Sequence, residues 1–428
     1  MSTIRQRLET AFEAMALAIW RFRWLSLALT LALAAALASG VAKLEFDTSN
    51  EAFLHKDDPI LLRYAAFKEQ FGRDDIIILS VQPEILFTAP ALTKLKALHE
   101  DLADNVPHLN DITSMVNARN TRGEGDVLVV DDLLRTLPRA PAEFSELKTR
   151  VLANPLYING LVDSAGRVTT MIIELEAFAA ADGGDALAGF DDEDDGQKPN
   201  KLLSADQTLL AVNTVKAIVA RHQAPGFRID MAGMGAVTEE LKGAMKSDMS
   251  LFLRLAVLAI GICLFLIFRR LSGVVLPLLI VALALLSTLG LMGHFGVTLT
   301  IPTVILPSFL LAVGVGASVH VLAMFYRYLD RGRERRQAIR EALGHSGLAI
   351  LMTSLTTAVG LTSFAGAELA PIAHLGVFAG VGVMLSLLYT IVLLPALLAI
   401  IPIKPRDAKA DAGEALFERL LDAIAEFS

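Results

Sequence analysis

One ionisable side chain stands in the middle of an apolar stretch: His320, within residues 301–330 (IPTVILPSFLLAVGVGASVHVLAMFYRYLD). An imidazole changes charge near neutral pH, so the chemistry it offers inside a membrane span is the uptake and release of a proton. Gly316 and Ala317 lie four and three residues before it, with Gly314 and Ser318 close by. On a helix Gly316 and Ala317 share the histidine's face and leave room for a neighbouring backbone. In the next apolar stretch Thr353, Thr356, Thr357 and Gly360 recur at helical spacing and offer hydroxyls toward that face. Blander readings stand beside these: a neutral His320 that donates one hydrogen bond to an adjacent helix, and threonines bonded back to their own helix. Gly376 and Gly380 have GxxxG spacing, which reads as a packing seam rather than a site.

The elements that must hold these residues are membrane spans. The chain has 428 residues, is 54% hydrophobic and carries a net charge of −8, with a mean hydropathy of +0.53. Those values exceed the usual hydrophobicity of soluble globular proteins and predict a multi-spanning membrane protein. Mild acidity argues against a nucleic-acid partner. The single cysteine, Cys263, excludes a disulfide framework and a cysteine-based metal site within one chain. No phosphate-binding glycine loop, nucleophile elbow or HExxH zinc motif is present, so neither enzyme chemistry nor a cofactor is expected.

In chain order, residues 1–24 combine apolar positions at helical spacing with Arg5, Arg7, Arg21 and Arg23, the pattern of an amphipathic helix on a membrane surface. A first span follows at 25–41; the small residues Ala38, Ser39 and Gly40 also leave a cleavable signal peptide open. From 44 to 249 charge is distributed throughout, predicting a water-soluble domain. Its strands are expected at 75–81, 111–117, 167–176 and 227–232, and its helices at 88–104 and 204–222, in the order βαββαβ of a ferredoxin-like unit. Two insertions interrupt it. Leucines in 118–166 suggest extra helices, and 181–201 is an acidic stretch. There Asp191, Glu193, Asp195 and Gly196 imitate a calcium loop whose twelfth position, Leu202, is no ligand.

Five further spans are expected within 250–402, at 251–268, 273–292, 304–324, 347–365 and 372–401, the last long enough to need a turn or a strong tilt. Arg254 is expected to anchor the second span by reaching outward. Arg269, Arg270, Arg327, Arg331, Arg333, Arg335, Arg336, Arg340, Lys404, Arg406 and Lys409 fall in one set of connections, while 294–302 and 366–371 hold no lysine or arginine. Basic loops stay in the cytoplasm, which places both termini there and 44–249 outside. The tail, 403–428, repeats features of the N-terminal helix: Glu414, Phe417, Glu418, Ala423, Ile424 and Phe427 echo Glu9, Phe12, Glu13, Ala18, Ile19 and Phe22. Such an echo fits a second repeat beginning there, or two surface helices converging on one pattern.

The segments FDTSNEAFL (46–54), FGRDD with its strand (71–81), GVGASVHVL, SLTTAVGLTSFA (354–365) and HLGVFAGVGVMLSLLYTIVLLPALL (374–398), in this order and topology, resemble resistance-nodulation-division (RND) transporters. The resemblance is to the hydrophobe-exporting branch with the MmpL-like lipid exporters. It implies an α-helical membrane protein with an α+β porter-like domain outside the cytoplasm: one span, then that domain, then five sterol-sensing-like spans. It also implies a bacterial inner-membrane location, a hydrophobic small molecule or lipid as cargo, a second RND half or another copy as partner, and a periplasmic adaptor or binding protein. In that family the fourth span carries aspartates just before the small-x-His step. Here the matching positions are Gly316 and Ala317, which bind no proton. Three readings remain: His320 titrates instead, coupling resides in a second half, or the unit is an uncoupled lipid-binding scaffold or sensor.

Overall fold

A computed structural model describes residues 2–71, 76–124, 127–176, 203 and 205–405. The acidic stretch 181–201, the tail echo at 414–428, the tail cations Arg406 and Lys409, and residues 72–75 of the FGRDD segment lie outside the described residues. Along the chain the elements are α1 (Ser2–Arg21), α2 (Arg23–Ala38), α3 (Pro59–Phe71), β1 (Ile76–Pro83), α4 (Ala89–Asn105), β2 (Leu109–Ser114), β3 (Arg119–Glu124), β4 (Val127–Asp132), α5 (Pro141–Ala153), β5 (Thr169–Leu175), α6 (Ala205–His222), β6 (Phe227–Gly233), α7 (Met234–Phe268), α8 (Leu271–His294), α9 (Leu306–Asp330), α10 (Arg335–Thr362) and α11 (Ala370–Ile400). They divide into two compact units, Met1–His55 with Ala244–Ser428, and Lys56–Gly243.

The first unit is helical. Six helical stretches, 23–43, 234–268, 271–294, 302–330, 335–366 and 370–400, are long and apolar enough to cross a membrane. Several outrun the apolar windows of the sequence. α7 starts at Met234 and α10 at Arg335 because the polar residues leading into both spans are good helix formers, and hydropathy marks only the apolar part of a continuous helix. The long last stretch is a single helix with Pro395 near its end, so it contains no turn.

Small residues set the packing. A side chain at Gly40 would meet His294 Cδ2 at 2.6 Å, and one at Gly290 would meet Ala38 Cα at 2.7 Å. The end of α2 therefore lies directly on α8. α10 takes two other partners in the same way. Phe12 and Glu13 of α1 sit over Gly347 and Gly344, while Gly376 and Gly380 of α11 sit against Leu361 O and Thr362 Oγ1. The apolar stripe of α1, with Phe12 and Ala16 buried, is thus spent on protein rather than presented to lipid as the sequence pattern suggested. The Arg340–Glu13 ion pair at 2.7 Å fixes it there. At one end of α8 and α9, Arg270 donates to both carboxylate oxygens of Asp330 at 2.7 and 2.8 Å and lies over the Tyr326 ring.

The second unit is built on a four-stranded antiparallel sheet in the order β2-β5-β1-β6. Alternation along β1 and β5 puts Ile77, Leu79, Val81, Met171 and Ile173 on one face, buried against Leu92, Leu95 and Leu98 of α4 and Val212, Val215 and Ile218 of α6. Two expectations are corrected. Residues 118–166 hold one extra helix, α5, rather than several, and the unexpected hairpin β3–β4. The leucines drew attention to helical spacing, but the β-branched run at 127–130 favours a strand. The unit also lacks both ends of the expected 44–249. Residues 44–55 join the helical unit, where Phe46 bridges Leu299 and Leu299 N donates to Glu45 O at 2.7 Å.

Candidate functional site

Three helices of the membrane-spanning unit, α9, α10 and α11, line an open cavity of about 300 Å³. Its shape begins with the glycines of α9. Gly314 is the point of close approach: Ser386 of α11 donates its hydroxyl to Gly314 O at 3.1 Å, and a Cβ on Gly314 would lie 2.9 Å from Ser386 Oγ. Gly316 has nothing within 4 Å of its missing Cβ. The sequence suggested that Gly316 and Ala317 make room for a backbone. Gly314 instead makes room for the Ser386 side chain, while Gly316 and Ala317 line open space together with His320.

His320 is exposed to that space. Its ring makes no hydrogen bond among the described residues, so the reading of a histidine donating to an adjacent helix does not describe it. Ser346 Oγ of α10 instead contacts the His320 carbonyl oxygen at 3.5 Å, which ties the two helices together at that level. Ser318 is fully buried and donates to Val315 O at 2.8 Å, so it is outside the cavity lining.

The threonines separate by position. Thr353 and Thr357 line the cavity, whereas Thr356 faces away and donates to Met352 O at 2.9 Å. Thr353 also donates back along its helix, to Ala349 O at 2.9 Å, so its hydroxyl is left with acceptor capacity only. Arg254 donates to Ser250 O one turn before it and is exposed.

The cavity holds one titratable residue that sequence reading passed over: His345 of α10. It lies two residues before the apolar window that begins at Gly347, in a polar-looking approach to the span. Four-residue steps from His345 to Ala349, Thr353 and Thr357 were the available signal. Among the described residues no carboxylate, lysine or arginine lines the cavity, so its ionisable groups are two imidazoles. Among those residues no group of three or more histidine, cysteine or carboxylate side chains is placed to hold a metal ion.

The Lys56–Gly243 unit carries its own electrostatics. His222 and Arg221 of α6 reach Asp101 of α4 at 2.9 and 3.2 Å, and the hydrogen bond from His222 holds the Asp101 carboxyl below its ordinary range. Burial pushes His99 down, beside the fully buried Ser114 hydroxyl at 2.9 Å. These contacts join helices and strands of one core.

The MMPL family profile matches residues 201–426, slightly more than half of the chain. The chain belongs to the MMPL family. A protein of Methanocaldococcus jannaschii, named only as a membrane protein, is 25% identical over 366 residues, covering 82% of this chain and 84% of that one. The "probable transport protein MmpL8" of Mycobacterium bovis is 23% identical over 324 residues, 73% of this chain and 29% of that protein. The mycolic acid-containing lipids exporter MmpL11 of Mycolicibacterium smegmatis is 26% identical over 170 residues, 39% of this chain and 18% of that protein. The chain thus spans less than a third of the mycobacterial relatives. Six apolar helices and membrane-protein relatives together make it a multi-pass membrane protein.

Proposed function

We propose that this MMPL-family chain is a membrane transporter of RND type that moves a hydrophobic, lipid-like molecule, driven by protons that enter the α9–α10–α11 cavity at His320. The observation that carries the reading is the open cavity itself: an imidazole and several hydroxyls sit between spanning helices, where polar groups are costly and kept for function. Relatives named as transport proteins, and one as a lipid exporter, support the cargo class and favour a transporter over an enzyme.

In this reading the Lys56–Gly243 unit is the porter-like part and lies outside the cytoplasm, between the first span and the other five in the chain. Arg269, Arg270, Arg331 and Arg333 lie on the cytoplasmic side with both termini, in a bacterial inner membrane. His320 and Thr353 are exposed on the α9–α10 surface, and lipid cannot hydrogen-bond their polar atoms. A second unit, a covalent second half or another copy, covers them, and an adaptor or binding protein meets the outer domain. Rocking of the units against one another moves the cargo, as in repeat-built transporters. The scaffold alternative has only the missing carboxylates at Gly316 and Ala317 behind it.

The test is movement of a fluorescent long-chain lipid in vesicles reconstituted with the chain, with and without a pH gradient, for wild type and H320A. Gradient-dependent movement lost in H320A is expected. Movement indifferent to both removes histidine coupling, and vesicles that behave like protein-free ones remove the transport reading.

A further inference from the structure

His345 has no role in that reading, yet it lines the same cavity as His320 from the facing helix. The two are also at one level. The Ser346 hydroxyl touches the His320 carbonyl at 3.5 Å, so the residue next to His345 lies against His320 itself. Both rings are exposed to the cavity, and neither makes a hydrogen bond among the described residues. We infer that His345 is the second half of a two-imidazole proton site whose first half is His320; the inference rests on the proton-coupled reading above and names the partner group within it.

The surroundings say how such a site works. Neutral imidazole accepts a proton at one nitrogen and, once charged, donates from both. Thr353 already donates to Ala349 O, so its oxygen is an acceptor for an imidazolium N–H or a bridging water. α9 contributes no ionisable residue to the lining besides His320, and α11 contributes none. Near His345 the charges are already paired: Glu341, one turn before it, with Arg333, and Glu13 of the packed α1 with Arg340.

No carboxylate in the lining competes with the two rings for a proton. One proton enters at one ring, is passed to the other, and leaves, with no other bond made or broken. Exchange of that proton between α9 and α10 changes which helix carries the charge, and this links protonation to the fit of the two helices.

The experiment records charge displaced by an acid step across reconstituted vesicles on a solid support, with no lipid cargo supplied. Wild type is expected to displace charge, H320Q and H345Q each to lose at least half of it, and the double variant to displace none. H345D restores a titratable group and is expected to recover displacement at more acidic steps, which separates loss of the proton site from loss of the fold. H374Q, at a histidine outside the cavity, is expected to behave as wild type. H345Q displacing the wild-type charge, or H345D failing to recover a loss seen in H345Q, overturns the inference. Lipid movement that fails while the pair still displaces charge removes the transport reading alone. Gradient-driven lipid movement with full charge displacement in H345Q removes the pair alone.

Discussion

Gly290→Ala is expected to weaken the helical unit where α2 meets α8. The added Cβ would lie 2.7 Å from Ala38 Cα and 2.8 Å from the Leu37 carbonyl carbon, and closer still to that carbonyl's oxygen. These are backbone atoms, which have no rotamer to escape into. Carbon atoms pack at about 3.5–4.0 Å, so α2 and α8 must separate by about 1 Å there, a gap that forfeits roughly a quarter to a half of each dispersion contact it opens. Overpacking of this kind costs about 1–3 kcal/mol. Alanine's better helix propensity returns about 1 kcal/mol.

Gly316→Ala isolates that second term, because nothing lies within 4 Å of the new methyl. Its stability is expected to equal or exceed wild type. The two variants should therefore differ by about 1–3 kcal/mol, with the propensity gain common to both. Thermal denaturation midpoints in detergent are the assay, and Gly290→Ala is expected to melt several degrees below Gly316→Ala. Gly290→Ala melting with or above Gly316→Ala would refute the reasoning.

Three further outcomes follow from named contacts. Arg270→Ala removes both hydrogen bonds to Asp330 and the stacking on Tyr326, and is expected to cost about 1–3 kcal/mol in the same melt, with Arg270→Lys keeping the charge but not the fork. Asp101→Asn is expected to cost about 0.5 kcal/mol at neutral pH. Because the folded Asp101 carboxyl is held low by His222, its contribution is present above the ordinary carboxylate pKa and is lost as pH falls through the folded value, so the two melting curves should converge in acid. Thr357→Val changes the cavity lining and Thr356→Val does not, so acid-step charge movement is expected to respond to the first and ignore the second.

Much of this molecule is legible in its sequence, and for identifiable reasons. Runs of 18 or more apolar residues have few alternatives to a membrane span, and the expected windows each fall on an apolar helix, although α7 and α10 begin well before theirs. The strands β1 and β5 announced themselves through β-branched density, and Leu92, Leu95, Leu98 and Leu102 through helical spacing on a buried face. The β3–β4 hairpin escaped because the leucines of 118–166 suggest helices, and the valines at 127, 129 and 130 that favour a strand lie beside them. Which glycine packs and which stays open depends on the partner helix. Ser386 sits 72 residues after Gly314, and no local pattern connects them. His345 was hidden for a related reason: it becomes part of the site only when α10 is laid beside α9, and its own neighbours Arg340 and Glu341 read as a polar loop.

The proposed transporter depends on which side of the membrane holds residues 56–243. Single cysteines at Val130, on the hairpin, and at Arg331, between α9 and α10, in a Cys263→Ser background, measure this directly with an impermeant maleimide on intact spheroplasts. Labelling at position 130, with protection at 331 until the membrane is opened, is the expected result. Labelling at 331 with protection at 130 would place the soluble unit in the cytoplasm and contradict the account.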